Sequence, residues 1–197
     1  MRTRQYILEA AEQMLQAKGL ARLTNKEIAE AAGCAEGTLY NHFETKEALI
    51  LAAIQENLPS FLTVVWEDRI GEGSIEANLR DIVRTCIQYY RKLLPLTMAL
   101  VADMDLLNHF RLWMKERRGG PMIIYERVAS YVAAEQRLGR LKPEIEPFSF
   151  AALLLGTCHQ YAYIQYYQGY DPFPVSEDQF IAGVVQTLLL GGGVPPK

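Results

Sequence analysis

The sequence predicts an all-α fold in two parts, a small three-helix module with a helix-turn-helix at the N-terminus and a larger helical bundle after it. Three observations lead there. Apolar residues recur at helical spacing in nearly every segment, no run alternates as a half-buried strand would, and two short helix signals flank a three-residue turn within the N-terminal quarter. The chain has 197 residues, 50% apolar and 22% charged, an ordinary globular composition that excludes disordered, collagen-like and purely coiled-coil chains.

Ile7, Ala11, Met14 and Leu15 share one face of a first helix, with Gly19 at its C′ position. Thr24 and Glu27 have the spacing of a capping box, which opens a second helix over about residues 25–32 that Gly33 ends. After the turn Gly33-Cys34-Ala35, a third helix runs from Glu36 to about His42, and Thr45 is placed to cap a longer fourth helix from Lys46. Ile28, Ala32, Leu39 and Phe43 are spaced to form the module's core. Downstream, Gly71 to Ser74, Pro95, Gly119 to Pro121, Gly139 to Pro147 and Gly169 to Pro174 punctuate helical patterns, giving about five or six further helices. Ser176 and Gln179 form a second capping box, opening a last helix that ends at Gly191-Gly192-Gly193. The expected domains are residues 1–49 and 50–197, with the fourth helix shared and the Ile70 to Ser74 loop the clearest break in the pattern.

No apolar run reaches the roughly 18 residues of a membrane span, and Gly156, Thr157, His159 and Gln160 interrupt the longest. The N-terminus runs into an amphipathic helix without an apolar signal region, so the expected location is the cytoplasm, with no membrane partner. Cys34, Cys86 and Cys158 are odd in number and widely spaced, which suits packed thiols rather than a disulfide framework or zinc site. The net charge of −3, and six basic against seven acidic residues in the first fifty, give no overall basic character. Position must decide whether a basic face exists.

With Leu39 and Phe43 inward, the helical period puts Gly37, Thr38 and Asn41 on the opposite face of the third helix, flanked by Tyr40 and His42. That face suits the major groove of double-stranded DNA. Gly37 admits close backbone approach, the Thr38 methyl suits a thymine methyl, and the Asn41 amide fork matches adenine, while Tyr40 and His42 reach phosphates. Lys26 and Lys46 sit in first turns, where the helix dipole disfavours a cation unless a phosphate joins it. Thr24 and Asn25 belong to the same helix start.

The stretch Leu23 to Leu49, with its I-A-x-x-A-G, G-T-L-Y-x-H-F and K-E-x-L elements in order, closely resembles the DNA-binding signature of TetR-family transcriptional regulators. The resemblance covers about a quarter of the chain. It implies a homodimer on a palindromic operator, with a C-terminal helical domain that binds a small-molecule effector and dimerises through its last two long helices. One departure stands out: many members carry a Ser and a basic or Pro residue where this chain has Ala35 and Glu36. Glu36 serves either as a favourable helix N-terminal charge or as an acceptor for a cytosine amino group.

In the larger part, Phe180, Ile181, Val184, Val185 and Leu188 make an apolar band on the last helix wider than one packing surface needs. Ala152 and Gly156 on the preceding helix are small enough for close helix approach. These residues mark the expected dimer interface, although a helix buried within one subunit reads the same way. Trp66, Met98, Met104, Phe110, Trp113, His159, Tyr163 and Tyr166 suit an adaptable, largely apolar effector pocket, and core packing explains them equally well. Asp103 and Asp105 select a cationic ligand if they face a cavity and are solvated otherwise.

No catalytic constellation appears. Cys158 and His159 point about 100° apart on a helix, and the three histidines have no metal-ligand spacing. No enzyme activity, metal or cofactor is therefore expected. The expected function is a ligand-responsive transcriptional regulator acting as a repressor; the alternative is an all-helical protein-interaction adapter that has lost DNA binding.

Overall fold

The computed structural model describes residues 2–18, 23–62, 69–117 and 120–191, and every regular element among them is helical. The helices are α1 (Arg2–Lys18), α2 (Asn25–Ala31), α3 (Glu36–His42), α4 (Lys46–Leu62), α5 (Ile75–Ala102), α6 (Met104–Arg117), α7 (Met122–Arg137), α8 (Pro147–Gln168) and α9 (Glu177–Leu190). None is long and apolar enough to cross a membrane.

Two compact units result. The first comprises Met1–Ser60 and Lys92–Gly119, the second Phe61–Arg91 and Gly120–Lys197. The first reaches past α3 because Leu96 and Leu100 of α5 and Leu106 and Phe110 of α6 lie in the same core as Ile7, Ile28 and Leu39. The anticipated module core holds, with Ile28 and Leu39 fully buried, Phe43 at 6% exposure and Ala32 packed against them.

Pro95, read from the sequence as punctuation, lies inside α5 instead. A proline there removes one backbone donor, but Leu94 and Leu96 on either side are 1% exposed, and their burial outweighs the missing bond. The helix ends about two turns later, before Asp103, whose Oδ1 accepts from the backbone N–H groups of Asp105 and Leu106 at 3.1 and 3.0 Å. Asp103 thus caps α6, which corrects the idea that it is a selector for cations.

In the second unit, α7 packs along α8, and α8 packs on α9. The Glu146 carboxylate caps α8 by accepting from Phe148 and Ser149, and Gly169 ends the helix in the left-handed region at φ 74°. Burial of Phe150, Leu154, Leu155, Cys158 and Tyr161 seats α8 in the core. Arg84 pairs with Asp178, and Arg91 with Glu177 and Gln165, tying α5 to the other two helices.

The loop before α5 is held by a buried polar cluster. Glu135 on α7 is fully buried, and its Oε1 accepts from the Gly71 N–H at 3.1 Å. Its Oε2 lies 3.2 Å from Arg140 Nε, while Arg140 also donates to the carbonyls of Glu72 and Gly73. Asn78 donates to the carbonyls of Arg69 and Glu72. Gly71 and Gly73 occupy left-handed backbone positions, at φ 80° and 56°, that let these carbonyls turn inward. Removing the carboxylate leaves a largely covered guanidinium without its counter-charge. Glu135→Ala is expected to lower unfolding free energy by about 3 kcal/mol in chemical denaturation, with Glu135→Gln losing less because its amide oxygen still meets Gly71.

Candidate nucleic-acid interface

The start of α2 has both halves of the capping box: the Glu27 N–H donates to Thr24 Oγ1, and Glu27 Oε2 accepts from the Thr24 N–H, each at 3.3 Å. Glu27 also accepts from Lys18 Nζ at 2.9 Å. Hydrogen bonds from Lys18 and then Thr24 hold its carboxyl below the ordinary value of 4.5. Asn25 follows as the first residue of α2, half-buried, and Lys26 beside it is exposed.

Gly33, at φ 68°, reverses the chain after α2, and the Cys34 N–H closes the turn on the Ala29 carbonyl at 2.9 Å. The chain then enters α3 through Ala35, which supplies no side-chain cap. Glu36 occupies the first turn, exposed, where the helix dipole favours its charge. Leu39 turns inward at 0% exposure, leaving Gly37, Tyr40, Asn41 and His42 exposed and Thr38 half-buried. A Cβ added at Gly37 would meet no heavy atom within 4 Å, so packing within the chain does not require a glycine there.

One cross-helix bond joins the two helices at this surface: Asn25 Nδ2 donates to the Tyr40 hydroxyl at 2.9 Å. It brings the start of α2 beside the exposed face of α3, a link between positions fifteen apart that no local pattern signals. Thr45 caps α4 by accepting from the Ala48 N–H at 3.1 Å, which places Lys46, half-buried, in the first turn of α4. Arg4 is ion-paired with Glu56 and lies over the Phe43 ring at 5.4 Å.

The residues expected to line an effector pocket are divided between the units. In the first, Phe110 is a core residue at 9% exposure stacked on half-buried Trp113, Met98 is half-buried, and Met104 is 59% exposed. In the second, His159 meets Tyr90 edge-on at 5.1 Å and stacks on Tyr163, while Tyr166 is 47% exposed. Burial pushes the His159 imidazole below its ordinary pKa. Trp66 lies outside the described residues. An open cavity of about 280 Å³ in the second unit is lined by Gly156, Thr157, Gln160, Tyr161, Ile164, Phe173 and Phe180, none of them among the eight.

Of the expected dimer residues, Ile181 and Val185 face their own unit's core at 1% and 0% exposure. Gly156 is exposed, and Ala152, Phe180, Val184 and Leu188 are half-buried. Phe180 stacks on Tyr161 at 4.2 Å. The wide apolar band on α9 is explained in part by this inward side.

Residues 7–53 match the family model described as bacterial regulatory proteins, tetR family. The chain is 28% identical to the HTH-type transcriptional regulator UidR of Escherichia coli over 153 residues, which is 78% of this chain and 76% of UidR. Among solved structures it is similar to the Bacillus subtilis transcriptional regulator FadR in complex with stearoyl-CoA, with a TM-score of 0.70 and 18% identity over 95% of this chain and 98% of that one. It is also similar to Salmonella enterica GusR, with a TM-score of 0.67 and 22% identity over 95% of each chain.

The capping box makes a testable link between α2 and pH. Thr24→Ala should cost about 1 kcal/mol in chemical denaturation. Because the folded carboxyl of Glu27 is lowered, its contribution is complete above the ordinary value of 4.5 and is lost as pH falls through the lower folded value. An NMR titration of Glu27 should therefore move to higher pH in Thr24→Ala.

Proposed function

We propose, from the match of residues 7–53 to the model of the tetR family of bacterial regulatory proteins, that the chain is a ligand-responsive repressor of that family that binds a palindromic operator as a homodimer. The observation that carries the proposal is the outer face of α3, where burial of Leu39 leaves Gly37, Tyr40 and Asn41 exposed beside the start of α2. In this reading α3 lies in the major groove. Asn41 reads adenine, Thr38 contacts a thymine methyl, Gly37 allows close approach, and Tyr40, His42, Lys26 and Lys46 meet phosphates. Thr24 holds the α2 amides toward the same backbone, and Glu36 stands at the groove edge.

Residues 50–197 supply dimerisation and effector binding in this proposal, and the effector is a small, largely apolar or aromatic molecule. A stearoyl-CoA complex of a protein with this fold supports an apolar ligand class. Exposed Gly156 and half-buried Ala152, Phe180, Val184 and Leu188 supply the surface for a second copy. Effector binding favours a dimer geometry whose recognition helices no longer match half-sites about 34 Å apart.

Selection of random and genomic duplex fragments on the purified, ligand-free protein tests the proposal. An enriched palindrome is expected, whereas retention that depends only on salt, or none, favours the adapter alternative. On the selected site, Asn41→Ala should relax preference at one base position by about 1–3 kcal/mol. Lys46→Ala should instead weaken binding to all sequences and reduce the salt slope by about one unit.

A further inference from the structure

Tyr40 is 49% exposed on α3, yet its hydroxyl is engaged from α2 by Asn25 Nδ2 at 2.9 Å. The direction of that bond matters. A phenol has one proton and can also accept, whereas a phosphate oxygen only accepts. With Asn25 donating into the hydroxyl oxygen, the phenolic proton is free to be given elsewhere. In the reverse arrangement Tyr40 would give its proton to the amide oxygen, and the NH₂ group would take the position now held by Oδ1, which is buried and without a hydrogen-bond partner. A buried unpaired donor group is less tolerable than a carbonyl, so the observed direction is the favoured one.

We propose that Asn25 is a positioning residue: it donates to the Tyr40 hydroxyl, fixes the ring over the start of α2, and leaves the phenolic proton for a DNA phosphate. This rests on the DNA-binding reading above and changes the role of Asn25 within it. Asn25 acts through Tyr40 rather than as a phosphate contact of its own. Holding the ring in advance removes part of the ordering cost of that contact.

Four full-length proteins test this on one duplex carrying the selected palindrome, by fluorescence anisotropy with thermal melts alongside: the parent, Asn25→Ala, Tyr40→Phe and the double variant. Tyr40→Phe and Asn25→Ala should each weaken binding about tenfold, the double variant no more than Tyr40→Phe alone, as for groups acting on one contact. The salt slope should not change, because neither substitution alters charge. Asn25→Asp presents only acceptors and draws the tyrosine proton inward, so it should weaken the parent more than it weakens Tyr40→Phe.

Equal losses from Asn25→Ala with and without Tyr40→Phe would mean that Asn25 acts on DNA directly or through the fold, and would overturn the proposal. Unchanged binding by Asn25→Ala would overturn it as well. A selection that enriches no duplex removes the DNA-binding reading itself, whereas parental binding with an uncoupled pair removes only the role of Asn25.

Discussion

Burial of Leu39 is the constraint on which the exposed surface of the first unit depends. α2 and α3 have seven residues each, too short to hold helical structure in water on their own. They stand because Leu39 and Ile28 are both fully buried in one core with Ile7 of α1. Once Leu39 is inside, the helical period leaves no freedom about which side chains of α3 point out. Tyr40 and Asn41 are presented as a consequence of packing.

Charge in the first unit follows the same logic of position over total. Glu27 is occupied by Thr24 and Lys18, and Arg4 by Glu56. Each pair sets one base against one acid, Lys18 with Glu27 and Arg4 with Glu56, so the total count of acids and bases says little about how charge is distributed around α3. Exposed pairs of this kind add little stability. Their effect is on which charges remain available, and Lys26 beside the start of α2 is exposed.

The second unit solves a different problem with buried polar groups. In the turn preceding α5, Arg140 and Asn78 donate to backbone carbonyls and buried Glu135 accepts from the Gly71 N–H. An ion pair with a buried member is a poor source of stability against an apolar alternative, but losing one partner leaves the other uncompensated, which holds Arg140 against Glu135. Beside it, α8 and α9 turn Leu154, Leu155, Ile181 and Val185 inward while Gly156 stays exposed. Gly156 also lines the open cavity, with Tyr161, Phe173 and Phe180.

What the sequence by itself determined was local: the capping boxes at Thr24 and Ser176, the glycine turn at Gly33, the span of α3 and the inward face carrying Leu39 and Phe43. Each depends on residues within a few positions of one another, so spacing alone carries it. Pro95 inside α5, the Asp103 cap, the inward placement of Phe110, Ile181 and Val185, and the bond from Asn25 to Tyr40 were decided only by tertiary structure. An apolar residue on a helix has the same spacing whether it meets its own core, a cavity or another chain. Which of these it meets is set by helices distant in sequence, and burial energies of a few kcal/mol per side chain are large enough to override a local signal such as a proline.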